Sequence, residues 1–107
     1  MGYKLIVSKE AHTDVDQIAR YISLDLCNPS AASTFLDRVE KSYRTITENP
    51  YLYALCDDKR LQFKGYRKVI INNYLILYRI DEEKKDVYVV RVVYGPREYS
   101  DTVIKNS

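Results

Sequence analysis

The chain has 107 residues, of which 46% are hydrophobic and 30% are charged, and its net charge is +2. This size and composition fit one soluble globular domain and argue against a disordered chain. No apolar run approaches the roughly 18 residues of a membrane span. The apolar stretch near the N-terminus is too short for a signal-peptide core, so we expect a cytoplasmic protein without a membrane partner.

The first half of the chain predicts one strand followed by two helices. Residues 2–7 form a short segment that is rich in strand-forming residues. Ser8 offers an N-cap to a helix whose apolar residues recur every three or four positions. The pair Asn28-Pro29 ends this helix, because proline disfavours helical geometry in the residue before it. A second helix with its own apolar stripe starts at Ser30 and ends at Asn49-Pro50, which predicts a helical hairpin.

The second half predicts an antiparallel meander of three strands. Irregular residues 51–65 precede three segments rich in Val, Ile, Leu and Tyr, at 66–71, 74–80 and 87–94. Asn72-Asn73 suits a two-residue hairpin turn, since asparagine tolerates a positive φ angle. The connection to the last strand is a longer charged run.

The predicted turn also assigns side chains to two faces of the hairpin. Val69 pairs with Ile76, and Ile71 pairs with Tyr74. Because these residues and Tyr78 are apolar, their shared face is the better candidate to pack under the helices. The opposite face is then partly open and holds Tyr66, Lys68 and Arg79.

The last strand determines whether a basic surface forms on that open face. Strict alternation places Tyr88, Val90, Val92 and Tyr94 on one side of this strand and Arg91 on the other. The longer loop before the strand leaves its register open. If the register brings Arg91 beside Arg79, the sheet presents a concave basic face, with Arg97 just past its edge.

Positive charge is concentrated in the second half of the chain. Residues 1–58 contain six basic and nine acidic residues, whereas residues 59–97 contain ten basic and four acidic residues. This asymmetry fits a polyanionic partner and, equally, a strand-rich half with solvated edges. Lys, Arg and Tyr on a sheet suit nucleic-acid binding and metal-free phosphodiester cleavage. The alternative is that the tyrosines pack, and that Arg79 and Arg91 are structural partners of Glu98 or Asp101.

Other types of site find little support. The three glycines form no phosphate-binding loop. Cys27 and Cys56 cannot complete a four-ligand zinc site with a single histidine, so we expect free thiols, no metal and no cofactor. His12 lies one residue beyond the apolar stripe and is expected to be a solvated helix residue.

The order, spacing and length of these elements resemble the RelE/ParE family of type II toxin–antitoxin toxins. The segments that carry the resemblance are Tyr3 to Ala11, Gly65-Tyr66-Arg67-Lys68, Asn73 to Tyr78, and Arg91 to Tyr99. The resemblance implies a single α+β domain over residues 1–107. In it, an N-terminal strand, a helical hairpin and the meander form one mainly antiparallel four-stranded sheet with a short C-terminal tail or helix.

The resemblance also implies a cytoplasmic prokaryotic toxin that a cognate antitoxin neutralises. In the RNA-cleaving branch, basic residues of the concave sheet face cut messenger RNA on the ribosome. Arg97 and Lys68 match catalytic positions of that branch. The position of its C-terminal catalytic tyrosine falls near Val103, and Tyr99 is the closest substitute. Leu75 stands where that branch has an arginine.

Two main functions remain open, so whether the chain is an enzyme is uncertain. The first, which is the main expectation and which Lys68 and Arg97 favour, is a metal-independent mRNA endonuclease that arrests growth, with Arg97, Lys68 and Tyr99 as catalytic residues. Its RNA-binding residues would be Tyr66, Arg67, Arg79, Arg91 and Tyr94. The second is a ParE-like inhibitor of DNA gyrase without nuclease activity, which Leu75 favours. A third possibility is an inactive member that binds only its antitoxin.

Two apolar patches are candidates for antitoxin binding. One is a flank of the helical hairpin that carries Tyr21 and Leu24. The other is the loop at residues 51–56, which carries Tyr51 and Tyr53. Exposed apolar patches often mark partner sites. The alternative, weighed equally, is that these side chains cover the edge of the core.

Overall fold

The computed structural model describes residues 2–95. Among them, the sheet consists of β1 (Lys4–Val7), β2 (Arg67–Ile71), β3 (Tyr74–Asp81) and β4 (Asp86–Tyr94). The helices are α1 (Lys9–Arg20), a π-helical segment (Tyr21–Asp25), α2 (Pro29–Glu48) and α3 (Lys59–Phe63). The strand order is β1-β4-β3-β2, with β1 parallel to β4 and the other pairs antiparallel. The predicted α+β architecture is confirmed, with a mixed sheet.

Side-chain caps define where the two long helices begin. The Ser8 hydroxyl accepts a hydrogen bond from the backbone N–H of Ala11 at 2.9 Å, as its predicted role as N-cap requires. The second helix starts earlier than predicted, because Asn28 rather than Ser30 is its N-cap and accepts from the N–H of Ala31 at 3.0 Å. Pro29 fits the first helical position, where its missing N–H is not needed.

The first helical run changes character before the predicted end. The α-helix stops at Arg20 and continues as the π-helical segment, in which Ile22 is the last buried member of the apolar stripe. Leu26, which continues the three-to-four-residue spacing of the stripe after Ile22, is 55% exposed. Cys27 follows with a φ of 51°, so the chain has already turned toward α2. None of the helices within residues 2–95 has the length and apolarity that a membrane crossing requires.

The main core lies between the helices and one face of the sheet. The predicted face of Val69, Ile71, Ile76 and Tyr78 is buried there, together with Ala11, Phe35, Val39 and Ile46 from the helices. The register of β2 with β3 is the predicted one, with Val69 opposite Ile76 and Ile71 opposite Tyr74. Asn72 in the turn has a φ of 54°. Turn chemistry and hydrophobic pattern therefore determined this hairpin correctly.

The predicted alternation of β4 is wrong, because the strand contains an irregularity. Leu77 lies opposite Arg91 whereas Tyr78 lies opposite Val89, so Val90 is an extra residue in the ladder. As a result, Val87, Val89 and Val92 all pack in the core under the helices. After an inserted residue, the side chains that would have faced one side of the sheet face the other. No feature of the β4 sequence indicates this insertion.

The opposite face of the sheet is covered at one end. Residues 51–65, predicted to be irregular, contain α3, whose N-cap Asp58 accepts from the N–H groups of Arg60 and Leu61. Beneath it lies a second buried cluster of Cys56, Leu61, Tyr66, Leu75 and Leu77. The expectation of a partly open face that displays Tyr66 is therefore wrong at this end.

Candidate functional site

Lys68 is the predicted catalytic residue that the structure describes. It lies on β2 opposite Leu77, and its Nζ donates to the Asp57 carboxylate at 3.0 Å. Its backbone N–H also donates to the carbonyl of Ala54 at 3.2 Å. The loop before α3 therefore holds both the backbone and the ammonium group of Lys68.

Tyr66, predicted to bind RNA, is a core residue. Its side chain is 1% exposed and packs with Cys56 and Leu61. Its carbonyl accepts from the N–H of Cys56 at 2.9 Å. The same burial raises the pKa of the Cys56 thiol to about 11. The Tyr66 ring has no free face in this arrangement on which a base could stack.

Arg91 is held by a carboxylate from α1. Its Nε and Nη2 donate to Asp14 at 2.7 and 2.9 Å, and the N–H of Val92 donates to the same carboxylate at 3.0 Å. The hydrogen bonds from its guanidinium to Asp14 raise the pKa of Arg91. Arg91 therefore has a structural partner, although that partner is not one of the acids expected from the sequence. Glu98 and Asp101 lie outside the described residues.

The other predicted RNA-binding arginines stack on tyrosines of the chain. Arg79 lies opposite Tyr88 in the sheet, and its guanidinium carbon is 4.6 Å from the centroid of that ring. Arg67 is 5.1 Å from the Tyr51 ring, and its Nη1 donates to the carbonyl of Tyr53 at 2.6 Å. Arg91 is not beside Arg79, because Leu77 is its partner in the ladder.

Tyr94 belongs to an aromatic cluster at the helical side of the sheet. Its ring is 5.7 Å from that of Tyr74, which is 5.4 Å from Phe35. Tyr94 is 41% exposed. The described chain ends one residue later, where the N–H of Gly95 donates to the carbonyl of Asn73 at 2.7 Å. The predicted catalytic Arg97 and Tyr99, and also Val103, lie outside the described residues.

Leu75 is an apolar core residue of the second cluster. It lies between Ile70 and Val93 in the sheet and is 9% exposed. The position that the resemblance gives to an arginine in the RNA-cleaving branch therefore contributes packing and no charge in this chain.

The residues predicted to bind an antitoxin form two separate patches. Tyr21 and Leu24 are 47% and 65% exposed, and Leu24 lines a groove between the two helical arms together with Ala19, Ala32 and Leu36. Burial and the neighbouring rings of Tyr21 and Tyr94 raise the pKa of Tyr74, which starts β3.

Tyr51 lies beyond the other end of β3, with Tyr53 near it in the same loop. Its hydroxyl donates to Glu82 at 2.6 Å, and Tyr3 donates to the same carboxylate at 2.9 Å. Lys85 is also bonded to Glu82. The hydrogen bonds from Lys85, Tyr51 and Tyr3 lower the pKa of Glu82 to about 2. Sequence reasoning missed this cluster, since the charged run at 81–86 has the composition of a solvated loop.

Comparisons with known proteins address the family and the fold. A family model described as the ParE toxin of the type II toxin–antitoxin system parDE matches residues 5–99. No curated protein matches the chain. Among solved structures, a free mutant of the E. coli toxin RelE has a TM-score of 0.64 and 16% identity. That alignment covers 99% of this chain and 94% of that chain.

Two toxin–antitoxin systems are similar in fold as well. The RelBE2 complex from Mycobacterium tuberculosis has a TM-score of 0.61 and 19% identity, over 88% of this chain and 99% of that chain. The chromosomal ParDE system from P. aeruginosa has a TM-score of 0.65 and 16% identity, over 86% and 95%. These structures share the fold, and the family model covers most of the chain. The chain therefore belongs to the ParE toxin family of type II toxin–antitoxin systems, within the RelE/ParE group expected from its sequence.

Proposed function

We propose that this toxin acts by binding a protein target, DNA gyrase, rather than by cutting messenger RNA. The observation that carries the proposal is the dispersal of the basic side chains expected on the RNA-cleaving face. Lys68 is bonded to Asp57, Arg79 is stacked on Tyr88, and Arg91 is paired with Asp14. Each of these three cations is thus engaged by a different group of the chain itself.

The chemistry of RNA cleavage explains why this dispersal matters. Without a metal, the charge that builds on the phosphate in the transition state must be met by several cations placed around it. A general acid or base must also lie within hydrogen-bond reach. In this chain Tyr66 is buried, and Leu75 contributes no charge. A protein that inhibits by binding needs neither arrangement.

An antitoxin belongs to the same proposal. The RelBE2 structure is a toxin–antitoxin complex, and the P. aeruginosa structure is that of a ParDE toxin–antitoxin system. We propose that this toxin is likewise neutralised by an antitoxin. Tyr21 and Leu24, on the flank of the helical hairpin, are the best-supported contacts, because both large side chains are exposed and Leu24 lines a groove between the helical arms.

The test runs two assays on the same protein. We expect induced cells to stop growing while a reporter mRNA stays intact in primer extension. We also expect the purified toxin to inhibit supercoiling by DNA gyrase. The competing outcome is mRNA endonuclease activity, whose predicted catalytic residues Arg97 and Tyr99 lie outside the described residues. Cleavage of the reporter at defined positions, abolished by Arg97→Ala, would overturn the proposal in favour of that enzyme.

A further inference from the structure

The outer side of α3 presents a phenylalanine to solvent. Phe63 is 93% exposed, whereas Leu61, two residues earlier, is completely buried. The helix is anchored from below, since Asp58 caps its N-terminus and the Gln62 side chain donates to the carbonyl of Cys56 at 3.1 Å. Phe63 is therefore held outward by a helix whose inner side belongs to the core.

Basic residues flank this phenylalanine in the chain. Lys59 and Arg60 precede Phe63 by four and three residues, so they are its neighbours on the helix surface. Lys64 follows it directly, and all three basic residues are exposed. Residues 59–70 contain five basic residues and no acidic residue. Lys59, Arg60, Phe63 and Lys64 together are called the α3 surface below.

The composition around the α3 surface favours a protein partner over a nucleic acid. Ile70 is 65% exposed on the same face of the sheet, and an aliphatic side chain offers a base no ring to stack on. An aromatic side chain within a polar, charged rim is typical of protein interfaces.

We propose that the α3 surface docks into an apolar pocket bordered by carboxylates on the folded protein that the toxin inhibits. Phe63 fills the pocket, and Lys59 and Lys64 face the acidic border. The inference rests on the proposed function, because it identifies the part of this chain that meets the target.

The experiment measures binding of purified DNA gyrase by calorimetry and gyrase inhibition by supercoiling. We expect Phe63→Ser to weaken binding at least tenfold. The double variant Lys59→Glu/Lys64→Glu should weaken it similarly and remove its salt dependence. Matched controls are Leu26→Ser, an apolar residue 55% exposed, and Lys84→Glu, an exposed lysine of the β3–β4 loop; both should bind within twofold of wild type. Because Phe63 is exposed, thermal unfolding of its variant should match wild type.

The α3 surface and the proposed function fail in different ways. If wild type inhibits gyrase and Phe63→Ser binds it equally well, the surface is wrong and the function stands. If wild type does not bind gyrase, the proposed function is wrong, and growth arrest decides the surface: arrest by Phe63→Ser equal to wild type overturns it, whereas loss of arrest supports it. A chain that neither binds gyrase nor arrests growth overturns both.

A nucleic-acid role for the same residues has its own outcome. Fluorescence anisotropy with a labelled single-stranded RNA would detect it. If the lysine reversals weaken RNA binding at least tenfold and leave gyrase binding unchanged, the α3 surface is an RNA-binding surface and the proposal is overturned.

Discussion

Asp14 has a structural role that nothing in the amino-acid sequence indicates. Its carboxylate is 77 positions from Arg91, yet it accepts both guanidinium hydrogen bonds and the N–H of Val92 beside the irregularity in β4. The Ser8 hydroxyl donates to the carbonyl of Val90 at 2.7 Å in the same region. Polar side chains from the start of α1 thus satisfy backbone groups that no strand pairs at this edge.

Removing the Asp14 carboxylate should destabilise the protein strongly. Asp14→Ala leaves a partly buried guanidinium and a buried N–H without their acceptor, so we expect a loss of about 2–4 kcal/mol in the free energy of unfolding. Urea denaturation measures it. Asp16→Ala, an exposed position on the same helix, is the control and should change stability by less than about 0.5 kcal/mol. Equal stability of the two variants would contradict this structural role.

At the scale of elements, the start of α2 shows that a residue of a favourable N-cap type is not always the N-cap. Both Asn28 and Ser30 are favourable N-cap types, and proline lies between them. The structure selects Asn28, because its side chain reaches the N–H of Ala31 while Pro29 occupies the first helical turn. Local sequence preferences place the start of α2 within residues 28–30, and the backbone geometry makes Asn28 the N-cap.

The choice of cap is open to measurement. We expect Asn28→Ala to lower the free energy of unfolding by about 1 kcal/mol, because the first turn of α2 loses its side-chain acceptor. Ser30→Ala should stay within about 0.5 kcal/mol, since Ser30 is exposed and is not the cap. Thermal or urea unfolding of the two variants compares them directly. The reverse order would restore the start expected from the sequence.

For the molecule as a whole, the sheet is buried from two sides. The helices cover one face, and α3 with its flanking loop covers one end of the other. Adjacent residues of β3 alternate between the two clusters: Ile76 and Tyr78 face the helices, and Leu75 and Leu77 face α3. Strand β3 therefore belongs to both buried clusters and connects them directly.

This coupling predicts cooperative unfolding. Ile46→Ala on the helical side and Leu61→Ala under α3 each remove a completely buried side chain, and each should cost about 2–4 kcal/mol. Both variants should unfold in one transition that coincides for tyrosine fluorescence and circular dichroism. A separate early transition in Leu61→Ala would mean that the α3 region folds independently of the sheet.

The amino-acid sequence by itself determined the elements that depend on neighbouring residues. Helix stripes, the Ser8 cap, the Asn72-Asn73 turn and the register of Val69 with Ile76 all follow from periods and local backbone preferences. The family followed from the order and spacing of these elements, and the family model over residues 5–99 confirms it.

Tertiary structure alone decided the elements and contacts that depend on distant residues. The extra residue in β4, the burial of Tyr66 and the pairing of Arg91 with Asp14 each depend on a contact with a different structural element. The prediction that Tyr66, Lys68, Arg79 and Arg91 share one open basic face is wrong for this reason. Charge and face alternation identify which side chains are basic, whereas solvent access and convergence of those side chains are set by what packs over the sheet.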